Sequence, residues 1–245
     1  MWDTQIIMGM PITVGIITTQ DSAAARELVF DYFQTIDQRY SPFRPDSEVS
    51  HINNGLKKAQ WSAEMKQLLQ LCEQTKQQTD GYFDVYHNGR LDPSGLVKGW
   101  AINNAAQMLY IRGYRHFYID AGGDIQVHGK NEYGTPWTIG IRNPFDHEEI
   151  VKSVQLTSEG IATSGTAIRG QHIYNPRRSQ PITDIVALTV IGPSIYEADR
   201  FATAAFAMGA AGIQFIDSLD GFEGYMIDVH KIATMTRGFE RYVTV

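Results

Sequence analysis

Phe117-Tyr118-Ile119-Asp120-Ala121-Gly122-Gly123-Asp124-Ile125-Gln126-Val127-His128-Gly129 is the stretch on which the fold turns. Phe117–Asp120 and Ile125–Gly129 are rich in β-branched and aromatic residues and read as strands. The paired glycines between them tolerate positive φ, so the joint reads as a hairpin turn or as a place where a ligand approaches the backbone. Working downstream, strands are predicted at Trp137–Arg142, Val151–Thr157, Ile161–Ser164 and Ile185–Ile191, linked by Gly, Asn and Pro turns. Helices follow Ser194 and lie near Ala211, and strands at Gly224–Val229 and Thr234–Val245 close the chain. Upstream, Gln5–Thr18 reads as a strand interrupted near Gly9 and Pro11, before a helix capped by Asp21-Ser22 that runs to about Gln38. Ser41–Ser47 is an ordered, proline-stiffened loop, and helices are expected at Ser62–Thr79 and Gly95–Arg112, ended by Gly81 and Gly113. Helices grouped ahead of a run of strands predict an α+β fold around a mostly antiparallel sheet. No repeat or linker divides the sequence, so residues 1–245 are expected to form a single domain.

Composition narrows the function classes. The 245 residues are 43% hydrophobic and 20% charged, enough for a substantial core. A formal net charge of −6 disfavours nucleic acid and anionic membranes as partners, although Arg169, Arg177 and Arg178 form a local patch able to hold phosphate. The single cysteine, Cys72, has no partner for an internal disulfide and sits in a helical pattern, which fits a buried thiol in a reducing compartment. Met1–Ile16 has neither a basic start nor a long apolar core, and no run reaches membrane-spanning length. A cytoplasmic protein without a membrane anchor is expected.

Several segments combine small and polar residues where a plain element would repeat its apolar period. In Glu197-Ala198-Asp199-Arg200-Phe201-Ala202-Thr203, a carboxylate and a hydroxyl stand four residues apart on a predicted helix, so both oxygens face one way. That pair suits half of a magnesium site whose remaining positions hold water and phosphate oxygens. It equally suits a solvated helix face. Asp92-Pro93-Ser94-Gly95-Leu96-Val97-Lys98-Gly99-Trp100 places small residues and a lysine at the mouth of a helix, where free amides attract anions. The plainer reading there is an N-cap at Ser94 and a solvated Lys98. Ala162-Thr163-Ser164-Gly165-Thr166 leads on to Gln171-His172-Ile173-Tyr174, and His172 is the best candidate proton carrier among the seven histidines. His51, His87, His116, His128, His147 and His230 read as surface or packing residues. No Gly-x-Gly-x-x-Gly opens a helix and no Walker loop occurs. Ser164 lacks the elbow context of a serine nucleophile.

Met8-Gly9-Met10, Phe43–Ser50, Gly81-Tyr82-Phe83-Asp84-Val85, Ser94–Gly99, Gly122-Gly123-Asp124, Ala162–Gly165, His172-Ile173 and Ala198–Thr203 occur in the order found in the ApbE family of flavin transferases, which the chain resembles over nearly its whole length. The resemblance implies a T-fold-like α+β core that binds FAD in a cleft, requires Mg2+, and transfers FMN to a threonine or serine of an acceptor protein with release of AMP. It places the metal on Asp199, Thr203 and the backbone carbonyl of Val97, and assigns activation of the acceptor hydroxyl to His172. Ile173, Met8, Phe43, Tyr82, Phe83, Asp84, Ser94 and Trp100 become flavin contacts, and Gly122 to Asp124 shape the same cleft. The sequence departs from the family at Thr166-Ala167, where an Asp-Tyr pair is common, at Asn175, where Asp usually precedes the proline, and at Asp92-Pro93-Ser94-Gly95, which replaces a glycine-rich loop. Those departures keep two alternatives in view: a protein that binds FAD without breaking it, and a hydrolase that splits FAD into FMN and AMP. Secreted lipoprotein members begin with a signal and a lipid-carrying cysteine; neither opens this sequence, in keeping with the cytoplasmic expectation.

Overall fold

The computed structural model of the chain describes residues 2–166, 174–178 and 180–244, apart from the His147 side chain. It opens with a hairpin, β1 (Trp2–Ile7) and β2 (Met10–Ile16). One interrupted strand was the expectation. Met8 and Gly9 both take positive φ (57° and 71°), which makes a two-residue turn of the kind that matches strand twist and folds the segment back on itself. Then come α1 (Ala23–Tyr40), α2 (Glu48–Asn53) and α3 (Ala63–Gln78). Ser47 and Ser62 accept the Ser50 and Met65 N–H groups as N-caps, and Glu48 in turn binds both the backbone and the hydroxyl of Ser62, which ties α2 to the start of α3.

A small hairpin, β3 (Tyr86–His87) with β4 (Arg90–Leu91), precedes α4 (Ser94–Ile111). The strands β5 (Phe117–Ala121) and β6 (Asp124–His128) form the expected hairpin, with Gly122 and Gly123 at φ 64° and 98°. Next are a long hairpin of β7 (Trp137–Asn143) and β8 (Asp146–Leu156), then β9 (Gly160–Gly165), a small β10 (Tyr174–Asn175) and β11 (Gln180–Pro181) pair, and β12 (Ile185–Gly192). The chain continues through α5 (Ile195–Ala207), α6 (Gly212–Asp217), β13 (Glu223–Asp228) and β14 (Ala233–Met235). The predicted strand Thr234–Val245 stops at Met235 and gives way to a 3-10 turn at Phe239–Tyr242. Buried Glu223 takes the Thr236 hydroxyl and the Gly238 N–H, which pulls the backbone out of the sheet.

Among the described residues the main sheet has eight strands in the order β1-β2-β5-β6-β9-β12-β13-β14, every neighbouring pair antiparallel. The α+β expectation therefore holds. Helices α1, α4 and α5 cover one face and enclose Phe30, Phe33, Leu96, Ile102, Phe117 and Phe206, all less than 2% exposed. The β7–β8 hairpin covers the other face through Trp137, Ile139, Ile141, Val154 and Leu156, packed on Ile125, Val127, Ile161 and Ile191. Burying each such side chain contributes about 1.5–3 kcal/mol. Gln126 sits between these layers: its amide donates to the Val127 and Ser158 carbonyls and its Oε1 accepts the Ile195 N–H, so β6 anchors the start of α5. Among the described residues no helix is long and apolar enough to cross a membrane.

Candidate active site

A cleft of about 1220 Å³ opens at the end of the sheet that carries the β1–β2 and β5–β6 turns, between the first turn of α4 and the β7–β8 hairpin. Two helices form its floor. On α4, Gly95 and Gly99 stand one turn apart; on α5, so do Asp199 and Thr203. A Cβ on Gly95 would lie 3.2 Å from Thr203 Cγ2, and one on Gly99 would lie 2.6 Å from Asp199 Cβ, so the two glycines let the helices close up. At this contact Gly99 donates its N–H to Asp199 Oδ2 at 2.7 Å.

Asp199 and Thr203, which their spacing puts on one side of the helix, both line the cleft, and so do Ser94, Tyr82, Phe83 and Asp84. Ser94 is the first residue of α4 rather than its N-cap: Pro93 holds that position, and Asp92 Oδ1 accepts the Ser94 N–H at 3.0 Å. Asp84 is fixed by Lys76 at 2.7 Å and by the Tyr86 N–H at 2.9 Å. Val97 is 2% exposed with its side chain in the helical core, so only its backbone is available for the assigned role. Met8 sits in the β1–β2 turn beside the lining residues Gly9 and Met10, but is not itself on the wall. Trp100 packs edge-on against Tyr40 at 5.7 Å, away from the cleft, and Phe43 is 88% exposed on the loop before α2. His172 and Ile173 lie outside the described residues, as does Arg169.

Lys98 departs from the plain reading of its segment. It pairs with Asp124, and its Nζ lies 3.8 Å from Asp199 Oδ1. Asp124 is 2% exposed and its Oδ1 accepts the Thr163 N–H at 2.9 Å. Asp120, at the other end of the β5–β6 turn, accepts the Gly123 N–H at 2.7 Å and the Tyr118 hydroxyl at 3.0 Å. Burial holds the Asp120 carboxyl above the ordinary carboxylate range, with Asp124 adding to the effect, while those two donors and Arg142 act against it. Burial and the Asp120 charge push the Tyr118 phenol above its usual range as well, so its hydroxyl stays a donor. Asp84, Asp92, Asp120, Asp124 and Asp199 line the cleft against the bases Lys98 and Arg142. The wall is acidic.

The side of the cleft beyond Asp84 joins two distant segments. His87, grouped by sequence with the surface and packing histidines, lies on the wall with its ring 3.9 Å from that of Tyr174. Burial, then Asp84 and Asp92, push the Tyr174 phenol up to about 12. Arg177 reaches Asp80 at 2.7 Å and stacks over Tyr82 at 5.1 Å. No local pattern marked His87, Tyr118 or Arg142, because each reaches the wall from its own strand or hairpin, while Tyr174 ended the Gln171–Tyr174 stretch without being given a role. Asp120 was legible as part of the Asp-Ala-Gly-Gly-Asp turn. Among the described residues no group of three His, Cys, Asp or Glu side chains gathers around a common metal position.

Helices on one face of an antiparallel sheet, with a wide cleft at the sheet's end lined by carboxylates and apolar side chains together, define an α+β protein with room for a sizeable ligand. A profile described as ApbE family matches residues 8–89 and 86–226. The chain belongs to the ApbE family. Among curated relatives, the FAD:protein FMN transferase of Klebsiella pneumoniae (strain 342) is 31% identical over 147 residues, 56% of this chain and 42% of that protein. The protein of the same name from Vibrio cholerae serotype O1 is 29% identical over 164 residues, 63% of this chain and 48% of the relative. The chain thus spans about half or less of the length of the curated relatives it matches. Of solved structures, the flavin transferase ApbE from Vibrio cholerae superposes with a TM-score of 0.86 at 20% identity, covering 99% of this chain and 98% of that one. The ApbE protein from Thermotoga maritima gives 0.87 at 18% identity, covering 100% and 99%. At these identities the superpositions establish a shared fold.

Proposed function

We propose that this protein transfers FMN from FAD to a threonine or serine hydroxyl of an acceptor protein, with magnesium, releasing AMP. The observation that carries this reading is the meeting of Asp199 and Thr203 on α5, Ser94 at the start of α4 and the Tyr82–Asp84 turn, three separate stretches of chain, on one cleft. At about 1220 Å³ it exceeds the ~300–1,000 Å³ usual for small-ligand pockets, as a dinucleotide and an incoming side chain together require. The name shared by the curated relatives, FAD:protein FMN transferase, supports the same reading.

Asp199 and Thr203 are hard oxygen donors one helical turn apart, the donor type magnesium accepts while it keeps water and phosphate oxygens in the rest of its shell. They fit the ion, with the Val97 carbonyl as a third ligand. Bound there, magnesium would supply positive charge against the pyrophosphate and the departing AMP. Gly99 holds the Asp199 carboxylate in place from α4, and the Lys98 ammonium stands 3.8 Å from its other oxygen. Tyr82 offers an aromatic face at the cleft, braced from behind by Arg177. In the reaction the acceptor oxygen bonds to the FMN phosphorus as the bond to the AMP oxygen breaks, and the acceptor proton passes to a base, the role assigned to His172. The proposed setting is the cytoplasm, with residues 1–245 acting as one unit.

Mass spectrometry of products formed from FAD and magnesium, with and without acceptor protein from a cell lysate, tests the proposal. The expected result is an acceptor heavier by FMN, and AMP whose formation needs the acceptor. AMP and free FMN in equal amounts without acceptor would replace transfer by hydrolysis, and bound FAD left intact under every condition would remove the enzymatic reading.

A further inference from the structure

Three charged side chains from three elements share the wall beside the proposed metal ligands. Asp124 comes from β6, Lys98 from α4 and Asp199 from α5. Asp124 is 2% exposed and pinned by the Thr163 N–H, and it pairs closely with Lys98, whose ammonium is 3.8 Å from Asp199 Oδ1. One ammonium between two carboxylates leaves a formal sum of one negative charge. Asp120 and Arg142 border the same cleft from β5 and β7 and carry opposite formal charges.

We propose that Asp124 is a positioning residue that makes anion binding in this cleft depend on a divalent cation, by holding Lys98 back from the ligand and taking up its charge. The proposal rests on the reading of the cleft as a dinucleotide diphosphate site. A lysine at the mouth of a helix is a natural phosphate partner. Here the buried aspartate claims it. The wall beside Asp199 therefore repels a diphosphate until a divalent cation reverses its sign. A unit charge removed a few ångströms from a bound ion in a half-buried site changes affinity by about tenfold or more.

The inference predicts effects of opposite sign, which structural damage does not produce. With Asp124→Asn, a near-isosteric change that keeps an acceptor for Thr163, ADP binding measured by calorimetry in excess EDTA should tighten about tenfold relative to wild type. The same variant should need about tenfold more magnesium to gain the same thermal stabilisation. Lys98→Met should behave in reverse, with weaker metal-free ADP binding and tighter magnesium binding. Asp124→Asn that binds ADP in EDTA no more tightly than wild type overturns the proposal. So does Lys98→Met with unchanged or weakened magnesium affinity, and this arm decides the matter if Asp124→Asn does not fold. Wild type that fails to bind ADP even with magnesium overturns the dinucleotide reading together with the inference. Wild type that binds ADP with magnesium leaves that reading intact whichever way the variants fall.

Discussion

Gly99 donates its backbone N–H to Asp199 Oδ2 at 2.7 Å, across two helices that approach this closely because residue 99 carries no side chain. A Cβ there would meet Asp199 Cβ at 2.6 Å and the Ile195 carbonyl at 2.8 Å. This carboxylate on the cleft wall is therefore positioned by an absence of atoms on the facing helix.

Gly99→Ala should force α4 and α5 apart. Overpacking of this kind costs about 1–3 kcal/mol, and urea denaturation would register it as a lowered midpoint. The proposed flavin transfer should fall further than stability does, since Asp199 moves with α5. A variant with wild-type midpoint and activity would show that the helix contact is not what places Asp199.

Asp199→Asn keeps an oxygen for the Gly99 N–H and should fold normally, while losing the charge proposed to draw in magnesium. Transfer from FAD should drop at least about a hundredfold. Thr203→Val should also lose activity, and Thr203→Ser, which restores the hydroxyl, should recover most of it. Steady-state product formation alongside thermal melts checks both. Near-normal turnover by Asp199→Asn would remove the metal assignment.

Asp120 gives a pH signature whose sign follows from its environment. Burial raises its pKa in the folded state, so the folded protein binds this proton more readily than the unfolded chain does. The stability linked to it is full below the ordinary carboxylate value of about 4 and is lost as pH rises through the raised value. Asp120→Asn, which cannot ionise, should gain stability relative to wild type across that window and show no relative gain below it. Denaturation midpoints for the pair from acid to neutral pH would reveal a flat difference if the carboxyl titrates normally.

Cys72 is 2% exposed, and burial pushes its thiol up to about 12. Thiolate is the reactive form, so a maleimide should label the native protein far more slowly than the denatured one. Equal rates, followed by intact-mass measurement, would contradict the burial.

Secondary structure was largely legible because its signals are local. Ser62 and Gly81 bracket α3, and the paired glycines at 122 and 123 make the β5–β6 turn, each acting over a few residues of chain. The misses have long-range causes. The C-terminal segment has a strand's composition, yet Glu223 reaches Thr236 and Gly238 from β13 and bends it into a 3-10 turn. The first hairpin depended on Met8 accepting positive φ, which composition does not announce for methionine.

In the site the same division appears. Asp199 and Thr203 were readable as a pair because helical periodicity alone puts residues four apart on one side. The plainer reading of Lys98 as solvated fails because the two carboxylates it meets on the wall lie elsewhere in the chain: Asp124 is 26 residues away and Asp199 is 101, counting from their numbers.

The order of residues by itself determined most helices and strands, the α+β class and the likeness of its motifs to one family, since periodicity, turn chemistry and motif order are properties of neighbours along the chain. Only the tertiary structure decided that α4 and α5 touch at Gly99 and Asp199, that carboxylates outnumber bases on the cleft wall, and that Lys98 pairs with Asp124. Those facts depend on distances between segments far apart in sequence, and such distances are set by how two packed cores close on either face of one sheet.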